Sequence, residues 1–491
     1  MFFKKFLMLP ALLLAASGVR AQTDTLQAKV QEVQITASHE SRFAVGSRYV
    51  KVDSLALEQY RSSSLADLLQ RYTPLYFKTY GHGMLATVSF RGTAANHTAV
   101  LWNGLNISLP TLGLTDFSTI PATALTSVAV QHGPAGANYG SASLGGTVLL
   151  GSELEFGKQL KIETRQETGS FGYRYHSGAV QAGNKKLVSR TSYFYSEAEN
   201  NFKYKDITAF QAPIRTEEHA AVWQKGITQD VQYKASLRTQ VALRGMYSYN
   251  DREIQAAMGS NHGNAKQQDE NLRLLAELNH LSGFGETTVK AAFFKDVLDY
   301  TANMVDSDSE VHTWQLQVAH EKQLTSKLDL KTGINAQYFI ADVSGYGSRK
   351  TENRASAFVL LRYNPLPRLH LNLNWRQARI EDYGAAPAPS LGAEYLLWQK
   401  KQAQVTVKGN ASRSYRVPSL NERFWPTGDP HLKPESGFGY ETGVRFTNEK
   451  GTFTTTAEAT VYQMQVQNWV QWQPVNDGWS PVNLQQVKSS G

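Results

Sequence analysis

The chain has 491 residues, of which 41% are hydrophobic and 11% aromatic, so it is too apolar to remain disordered. It contains no cysteine, which excludes a disulfide scaffold, a thiolate metal site and a cysteine nucleophile. Its 50 Lys and Arg against 42 Asp and Glu give a formal charge of +8, without the concentrated basic stripe of a nucleic-acid-binding protein. We therefore predict no nucleic-acid partner.

Residues 1–21 have the pattern of a secretory signal peptide. A basic start at Lys4 precedes an apolar run over 6–16, which is too short to span a bilayer, and Ala21 ends a small-residue cleavage pattern. We expect the exported chain to begin at Gln22. Because no later apolar run reaches the length of a membrane-spanning helix, the remaining alternatives are a soluble exported protein and a β-barrel.

The next part of the chain has the mixed pattern of a small α+β domain, which we place at 41–152 after an N-terminal segment at 22–40. Apolar residues at helical spacing predict a helix over 55–72, with Ser64 as a capping residue. Short apolar runs predict strands at 86–90, 98–102, 126–130 and 146–150, and Asn103-Gly104 is a hairpin-turn dipeptide.

A glycine-rich run occupies 133–146 (GPAGANYGSASLGG). It lacks the Gly-Lys-Ser/Thr ending of a P-loop and the spacing of a dinucleotide fingerprint. The run therefore predicts tight turns and close backbone packing rather than nucleotide binding.

Residues 153–491 alternate between apolar and polar side chains. In 369–380 (LHLNLNWRQARI), leucines and a tryptophan alternate with polar and charged residues, which is typical of a strand with two different faces. We count about 15 such strands, with tight turns such as that at 364–365 alternating with longer polar connections such as 298–308 and 381–388, as in outer-membrane barrels. This predicts an all-β transmembrane barrel, in which the charged residues of the second face suit a wet lumen. A soluble sandwich or propeller is the alternative, but its strands are usually shorter.

Three stretches resemble the TonB-dependent outer-membrane receptors, importers driven by the TonB complex of the inner membrane. Residues 88–107 (VSFRGTAANHTAVLWNGLNI) resemble the family's Arg-Gly stretch with its strand and turn, and 121–146 resemble its long signature with Gly-Pro, Tyr-Gly and Gly-Gly. Residues 416–441 resemble a barrel loop and the strand after it. The resemblance runs from 30 to 491 and implies that the α+β domain is a plug inside the barrel lumen.

The resemblance also implies roles for individual plug residues. Arg91 should hold the plug to the barrel wall by charge-assisted hydrogen bonds. The residues expected to shape the plug are Arg91, Gly92, Asn103, Gly104, Gly133, Pro134, Tyr139, Gly140, Gly145 and Gly146.

Residues 30–37 (VQEVQITA) resemble a TonB box, the segment by which the TonB energy-transducing complex takes hold of its receptors. An alternating segment of this kind can be captured by β-augmentation through main-chain hydrogen bonds. The predicted box consists of Val30, Gln31, Glu32, Val33, Gln34, Ile35, Thr36 and Ala37.

The strand count is lower than the resemblance implies. Family barrels have about 22 strands around a plugged lumen, and the chain ends in VKSSG rather than in a strand closing with Phe or Trp. We therefore expect a C-terminally incomplete sequence that lacks about seven strands and does not fold stably in a membrane alone, since an unclosed sheet exposes an edge to lipid. A smaller complete barrel is the alternative.

Within the family, the plug is most similar to that of cobalamin receptors, on RGTAANHTAVLWNGLNI and the following FSTIP. This implies cobalamin or a related corrinoid as the ligand, with a ferric siderophore or haem as the alternative. Two plug loops, 77–84 and 106–116, would face the outside and contact the ligand. The predicted contact residues are Tyr80, Gly81, His82, Gly83, Met84, Leu109, Pro110, Thr111 and Leu112.

We predict no protein-bound cofactor, since a metal would arrive within the ligand. An acidic cluster around one outer loop offers oxygen ligands for calcium, with simple solvation of the loop as the alternative. Its members are Asp296, Asp299, Asp306, Asp308 and Glu310.

The resemblance places the chain in the outer membrane of a Gram-negative bacterium, among outer-membrane lipids, and leaves a surface lipoprotein open as a further partner. The sequence contains neither HExxH nor G-x-S-x-G, so we predict that the protein is not an enzyme. A passive porin or an outer-membrane enzyme is the alternative from another class, and neither would have a plug and a TonB box.

Overall fold

The computed structural model describes residues 42–157, 160–259, 265–302, 305–451, 453–475 and 478–491. The predicted signal peptide and the predicted TonB box lie outside these residues. No helix among them is long and apolar enough to cross a membrane.

The N-terminal domain is built around a five-stranded mixed sheet. In chain order its elements are β1 (Tyr49–Lys51), α1 (Ser54–Gln59), α2 (Leu65–Tyr72), β2 (Tyr76–Thr79), β3 (Ala86–Ser89), β4 (Thr98–Trp102), β5 (Leu105–Asn106), β6 (Ser127–His132), α3 (Gly136–Tyr139) and β7 (Gly146–Gly151). The sheet order is β1-β6-β7-β4-β5, with β4 and β7 parallel, while β2 and β3 form a separate hairpin. The predicted α+β character is confirmed.

The predicted helix over 55–72 is wrong in one respect, because the structure contains two helices there. The first ends at Tyr60, whose carbonyl oxygen accepts a turn hydrogen bond from the Ser63 backbone N–H (3.0 Å). The second starts after Ser64, which forms a reciprocal capping box with Asp67. Serine favours caps and turns over helix interiors, so the serines at 62–64 divide the helix.

Apolar side chains fill the inside of this domain. Leu65, Leu68 and Leu69 of α2 are fully buried, and so are Val100 and Val148 of the sheet. Asn103 and Gly104 both have positive φ (48° and 86°), as the tight turn between β4 and β5 requires, which confirms the predicted hairpin.

The second part of the chain consists of long antiparallel strands. In chain order its elements are β8 (Leu160–Thr168), β9 (Arg174–Gly183), β10 (Leu187–Ala198), β11 (Lys203–Lys205), β12 (Ile214–Thr216), β13 (Val222–Lys234), β14 (Thr239–Ile254), β15 (Ala265–Ser282), β16 (Gly285–Ala302), β17 (Val305–Thr325), β18 (Leu328–Val343), β19 (Lys350–Leu366), β20 (Leu369–Ile380), β21 (Tyr383–Lys400), β22 (Ala403–Arg416), α4 (Leu420–Phe424), β23 (Glu435–Lys450), β24 (Phe453–Val475) and β25 (Gly478–Ser490). Sixteen of these strands form one sheet from β8 to β25, and β11 and β12 form a separate hairpin. Among the described residues, the main sheet thus has sixteen strands, against about fifteen predicted.

Some predicted connections are wrong because the strands run further than expected. Ala302 pairs with Val305 and Ile380 with Tyr383, so the predicted long connections at 298–308 and 381–388 are tight hairpins. The predicted turn at 364–365 lies within β19, and the chain turns only after Leu366. Many strands exceed the length of about ten residues that spans a bilayer. The ends of these strands lie beyond the bilayer and need no apolar face, so the alternation of apolar and polar residues does not show where each strand ends.

The alternation does predict which side chains face outwards. Leu373 and Trp375 are 55% and 49% exposed on the outer face, whereas Asn374 and Arg376 are buried on the inner face. Arg376 donates from Nε to the Ala137 carbonyl oxygen of the N-terminal domain (3.1 Å). The N-terminal domain covers this part of the polar inner face, in agreement with a plug inside the lumen.

Candidate functional site

The first predicted ligand loop, 77–84, lies at the end of the barrel where the longer connections gather. The Gln255 side chain donates to the Tyr80 carbonyl oxygen (2.7 Å), and the Asn200 side chain donates to that of His82 (3.2 Å). Gln255 and Asn200 follow β14 and β10, at the opposite end of these strands from their tight turns. Outer-membrane barrels carry their longer loops on the outside.

The second predicted loop, 106–116, lies at the same end of the barrel. Backbone N–H groups of Leu420 and Asn421, in α4, donate to the carbonyl oxygens of Pro110 (3.1 Å) and Thr111 (2.9 Å). Because α4 belongs to the long connection between β22 and β23, the structure brings both loops to one side of the plug.

The side chains of these loops differ in exposure. Tyr80 is 47% exposed and Leu112 37%, and Gly81 and His82 are also open to solvent. Met84 is buried against Ala220 and Val222 of the barrel, which differs from the predicted open surface.

The remaining predicted contact residues lie closer to the barrel. The side chain of Thr111 is buried, so it also departs from the predicted open surface. Leu109 packs against a barrel cluster that includes Val311 and Leu420, and Gly83 and Pro110 are half-buried. Tyr80, His82 and Leu112 are therefore the predicted side chains best placed to meet a ligand.

Arg91 forms an ion pair between the plug and the barrel. Its Nη2 lies 2.6 Å from Glu441 Oε2 of β23, and its guanidinium lies over the Tyr462 ring of β24, 4.2 Å from the ring centre. Both carboxylate oxygens of Glu441 contact the plug, because Oε1 accepts from the Arg48 backbone N–H (3.0 Å).

The glycine-rich run packs closely, as predicted. A Cβ on Gly146 would lie 2.3 Å from the Phe90 ring, so this position accepts only glycine without a rearrangement. Gly140 ends α3 with a positive φ, and the Tyr139 hydroxyl donates to Gln131 (2.9 Å). The Pro134 carbonyl oxygen accepts from the Ser412 hydroxyl of the barrel.

A buried polar chain that sequence reasoning missed joins the plug to the 416–435 connection. His97 is fully buried, and its Nδ1 accepts from the Ala94 backbone N–H (3.2 Å). This arrangement assigns the ring proton to Nε2, which donates to Glu435 Oε2 (2.8 Å). Arg416 donates to the same oxygen and also to Glu422 (2.8 Å). The 416–441 stretch contains Arg416, Glu422 and Glu435, but nothing in it indicates that Glu435 contacts a residue 338 positions away.

The first described residues, which follow the predicted TonB box, are held by the barrel wall. Arg42 donates from Nη1 to Glu321 (2.8 Å) and from Nη2 to Asp329 (3.0 Å). Phe43 is buried in a pocket with Phe358 and Leu360. A pull on the segment before Arg42 would therefore act first on contacts with the barrel.

Two cavities lie between the plug and one side of the barrel. One, of about 170 Å³, is lined by Phe43, Leu101, Tyr139 and Arg376 among others. The other, of about 100 Å³, shares the last three of these residues and extends to Pro110. Together they follow the plug surface from the second loop towards residue 43.

Within the part of the chain that the structure describes, no group of three His, Asp or Glu side chains is placed to hold a metal ion. The acidic cluster predicted to offer calcium ligands is divided, because Asp296 is buried and forms an ion pair with Arg273. This contradicts a calcium site built from the whole cluster.

The sequence matches the models of two protein families. Residues 41–147 match the TonB-dependent receptor plug domain, and residues 161–491 match the TonB-dependent receptor-like β-barrel.

Among curated relatives, the chain is similar to two vitamin B12 transporters named BtuB. It is 23% identical over 452 residues to that of Photobacterium profundum, covering 89% of this chain and 70% of the relative. It is 21% identical, over an alignment 533 residues long, to that of Vibrio vulnificus (strain YJ016), covering 98% of this chain and 78% of the relative.

Solved structures share the fold at low sequence identity. A double mutant of the Serratia marcescens hemophore receptor HasR, in complex with HasA and heme, has a TM-score of 0.74 at 14% identity, covering 92% of this chain and 79% of that one. The siderophore receptor PirA from Acinetobacter baumannii has a TM-score of 0.73 at 16% identity, covering 94% and 79%. With the barrel match covering well over half of the sequence, the chain belongs to the TonB-dependent receptors, outer-membrane transporters of Gram-negative bacteria that bind small ligands and work with TonB.

Proposed function

We propose that this receptor imports cobalamin or a related corrinoid across the outer membrane. The observation that carries the proposal is the alignment with vitamin B12 transporters over 89% and 98% of the chain. The receptors named for haem and siderophores are similar in fold at 14–16% identity, which does not favour their ligands.

The arrangement of the two plug loops supports a bulky ligand. Tyr80 and Leu112 expose large side chains on the side of the plug that faces the longer loops. A corrinoid has a broad, partly apolar ring system with amide side chains around it. Such a ligand would cover apolar surface on both loops and hydrogen-bond to polar groups such as His82, which fixes orientation as well as affinity.

In this proposal, residues 22–40 carry the TonB box, 41–152 form the plug and 153–491 the barrel. Ligand binding on the outer side of the plug shifts 30–37 towards an exposed state, and TonB captures this segment by β-augmentation. The pull then releases Arg42 from Glu321 and Asp329, the plug rearranges, and the ligand passes. The cycle needs no covalent step.

The ligand is tested by titrating the full-length receptor in detergent with cyanocobalamin, ferric enterobactin and haem. We expect tight binding of cyanocobalamin alone. Tight binding of ferric enterobactin or haem, with none of cyanocobalamin, would contradict the corrinoid proposal and leave the family assignment intact.

The location of the site is tested by truncating Tyr80. Since a buried aromatic contact typically contributes one or more kcal/mol, Tyr80→Ala should weaken cyanocobalamin binding by about tenfold. Tyr193, equally exposed on the outer face of the barrel, provides the matched control, and Tyr193→Ala should bind as the wild type does. Equal affinities for the wild type and Tyr80→Ala would place the ligand elsewhere.

A further inference from the structure

One carboxylate joins the ends of both ligand loops. Asp116 is the last residue of the second loop, and its Oδ1 accepts from the Ala86 backbone N–H (3.0 Å), two residues beyond the first loop. The same oxygen accepts from the backbone N–H (2.9 Å) and the hydroxyl (2.8 Å) of Ser118. Together with the hydrogen bond from the Phe117 backbone N–H to the Ala86 carbonyl oxygen (3.0 Å), this side chain holds the ends of the two loops together.

The other oxygen of Asp116 faces the barrel. Arg252 of β14 donates from Nη1 to Asp116 Oδ2 (2.7 Å) and, from the same nitrogen, to the Ser118 hydroxyl (3.2 Å). Its Nη2 donates to Asp269 Oδ2 of β15 (3.0 Å). The Arg252 side chain is only 3% exposed, so one buried guanidinium is shared between a plug carboxylate and a barrel carboxylate.

Because Arg252 has two carboxylate partners, its contact with Asp116 of the plug can break while its contact with Asp269 of the barrel remains. A buried charge that loses its only partner is costly, but Arg252 keeps Asp269 when Asp116 moves away. Detaching the loops therefore leaves no isolated charge on the barrel, and the Asp116 carboxylate keeps its hydrogen bonds from Ala86 and Ser118. A ligand that displaces either loop changes the Asp116–Arg252 contact without unfolding the plug.

We propose that Asp116 is a positioning residue of the ligand site, which sets the distance between the two loops and ties both to the barrel through Arg252. The inference rests on the proposed function in that loops 77–84 and 106–116 contact the ligand. Ligand binding and plug attachment are then coupled through one side chain.

The test compares two isosteric variants of the full-length receptor in detergent. Asp116→Asn removes the charge that faces Arg252 from the plug, and the matched control Asp269→Asn removes the charge that faces it from the barrel. Because Asp116→Asn loses the charge-assisted hydrogen bond from Arg252, it should weaken cyanocobalamin binding by about tenfold or more. Asp269→Asn should change it by less than about threefold, since the loops stay joined.

Amide hydrogen exchange on the same samples separates positioning from general stability. In Asp116→Asn, exchange should accelerate at Ala86 and Ser118 and remain slow at Val100 and Val148 in the plug sheet. Faster exchange throughout the plug, equal losses of affinity in both variants, or unchanged affinity in Asp116→Asn would each overturn the proposal.

The outcome stays distinct from that of the proposed function. If the wild type does not bind cyanocobalamin, the corrinoid proposal fails, and the affinity comparison is repeated with whichever of ferric enterobactin or haem it does bind. The exchange comparison needs no ligand. Faster exchange at Ala86 and Ser118 in Asp116→Asn but not in Asp269→Asn would still support the positioning role, and its absence would still overturn it.

Discussion

The plug and the barrel place their apolar side chains on opposite sides. In the plug, Leu68 and Val100 point inwards and are fully buried, whereas in the barrel Leu373 and Trp375 point outwards and Arg376 points inwards. The barrel presents many polar groups to the plug, beside apolar contacts such as that of Phe43 with Phe358. Many of the contacts between the two are ion pairs and hydrogen bonds, which can be exchanged for contacts with water, whereas apolar contacts resist separation. The polar share of this interface would let a firmly seated plug move in the proposed cycle.

The most disruptive change to this polar interface should be Arg91→Ala. It leaves Glu441, which is only 5% exposed, without its guanidinium partner, and breaking a buried ion pair costs about 3–5 kcal/mol. We expect a corresponding fall in the free energy of plug unfolding, measured by denaturant titration with hydrogen exchange.

The control for this change is Arg174→Ala, because the Arg174–Glu197 pair is mostly exposed (3.2 Å, with side chains 66% and 33% exposed). An exposed pair contributes about 0–1 kcal/mol. Similar effects of the two substitutions would mean that the plug is not held by its buried charges.

A smaller effect is expected where the backbones of plug and barrel meet. A Cβ on Gly392 of β21 would lie 1.9 Å from the Val45 carbonyl oxygen, so Gly392→Ala should push residues 43–46 away from the wall. Overpacking of this kind costs about 1–3 kcal/mol. We expect faster proteolysis close to residue 43.

Gly384 lies in the same strand, and a Cβ added to it would have no neighbouring atom within 4 Å, so Gly384→Ala provides a matched control. Its proteolysis should equal that of the wild type. If Gly392→Ala is equally resistant, the approach of the two backbones in solution is looser than the structure indicates.

The last effect concerns pH. Burial, together with Arg91, Arg48 and Lys408, lowers the pKa of His132 to about 3, against about 6.5 when the chain is unfolded. Above the unfolded pKa both states are neutral and the plug keeps its full stability. Between 6.5 and 3 the unfolded chain takes up a proton that the folded plug does not, so stability falls as the pH falls.

This pH dependence is measured as the difference in denaturant midpoint between about pH 7.5 and about pH 4.5. The wild type should lose more stability than His132→Gln over this range, because the variant lacks the titrating imidazole. Equal losses would show that His132 is solvated in the folded plug.

The sequence predicts the barrel better than the site. Alternation along 369–380 correctly separates the outward Trp375 from the inward Arg376, because a period of two is a local property of a strand. The alternation does not show that Arg376 is buried, because its burial depends on contact with Ala137 in another domain.

The site depends on contacts that no local pattern reports. Arg91 could be predicted to meet the barrel through the family resemblance, but Asp116 and Arg252 meet across 136 residues. His97 and Glu435 are 338 residues apart. Likewise, the sequence predicts Met84 as a ligand contact, and only its packing against Val222 shows that it is buried.

The central claim is energised import of a corrinoid. It is tested most directly by measuring uptake of radiolabelled cyanocobalamin in TonB-containing cells that lack their own corrinoid receptor and express either the full-length receptor or a variant of it without residues 30–37. We expect uptake with the full-length receptor, and surface binding without uptake for the variant. Equal uptake by both would indicate a passive pore, and an absence of binding and uptake with the full-length receptor would contradict the assignment of a corrinoid ligand.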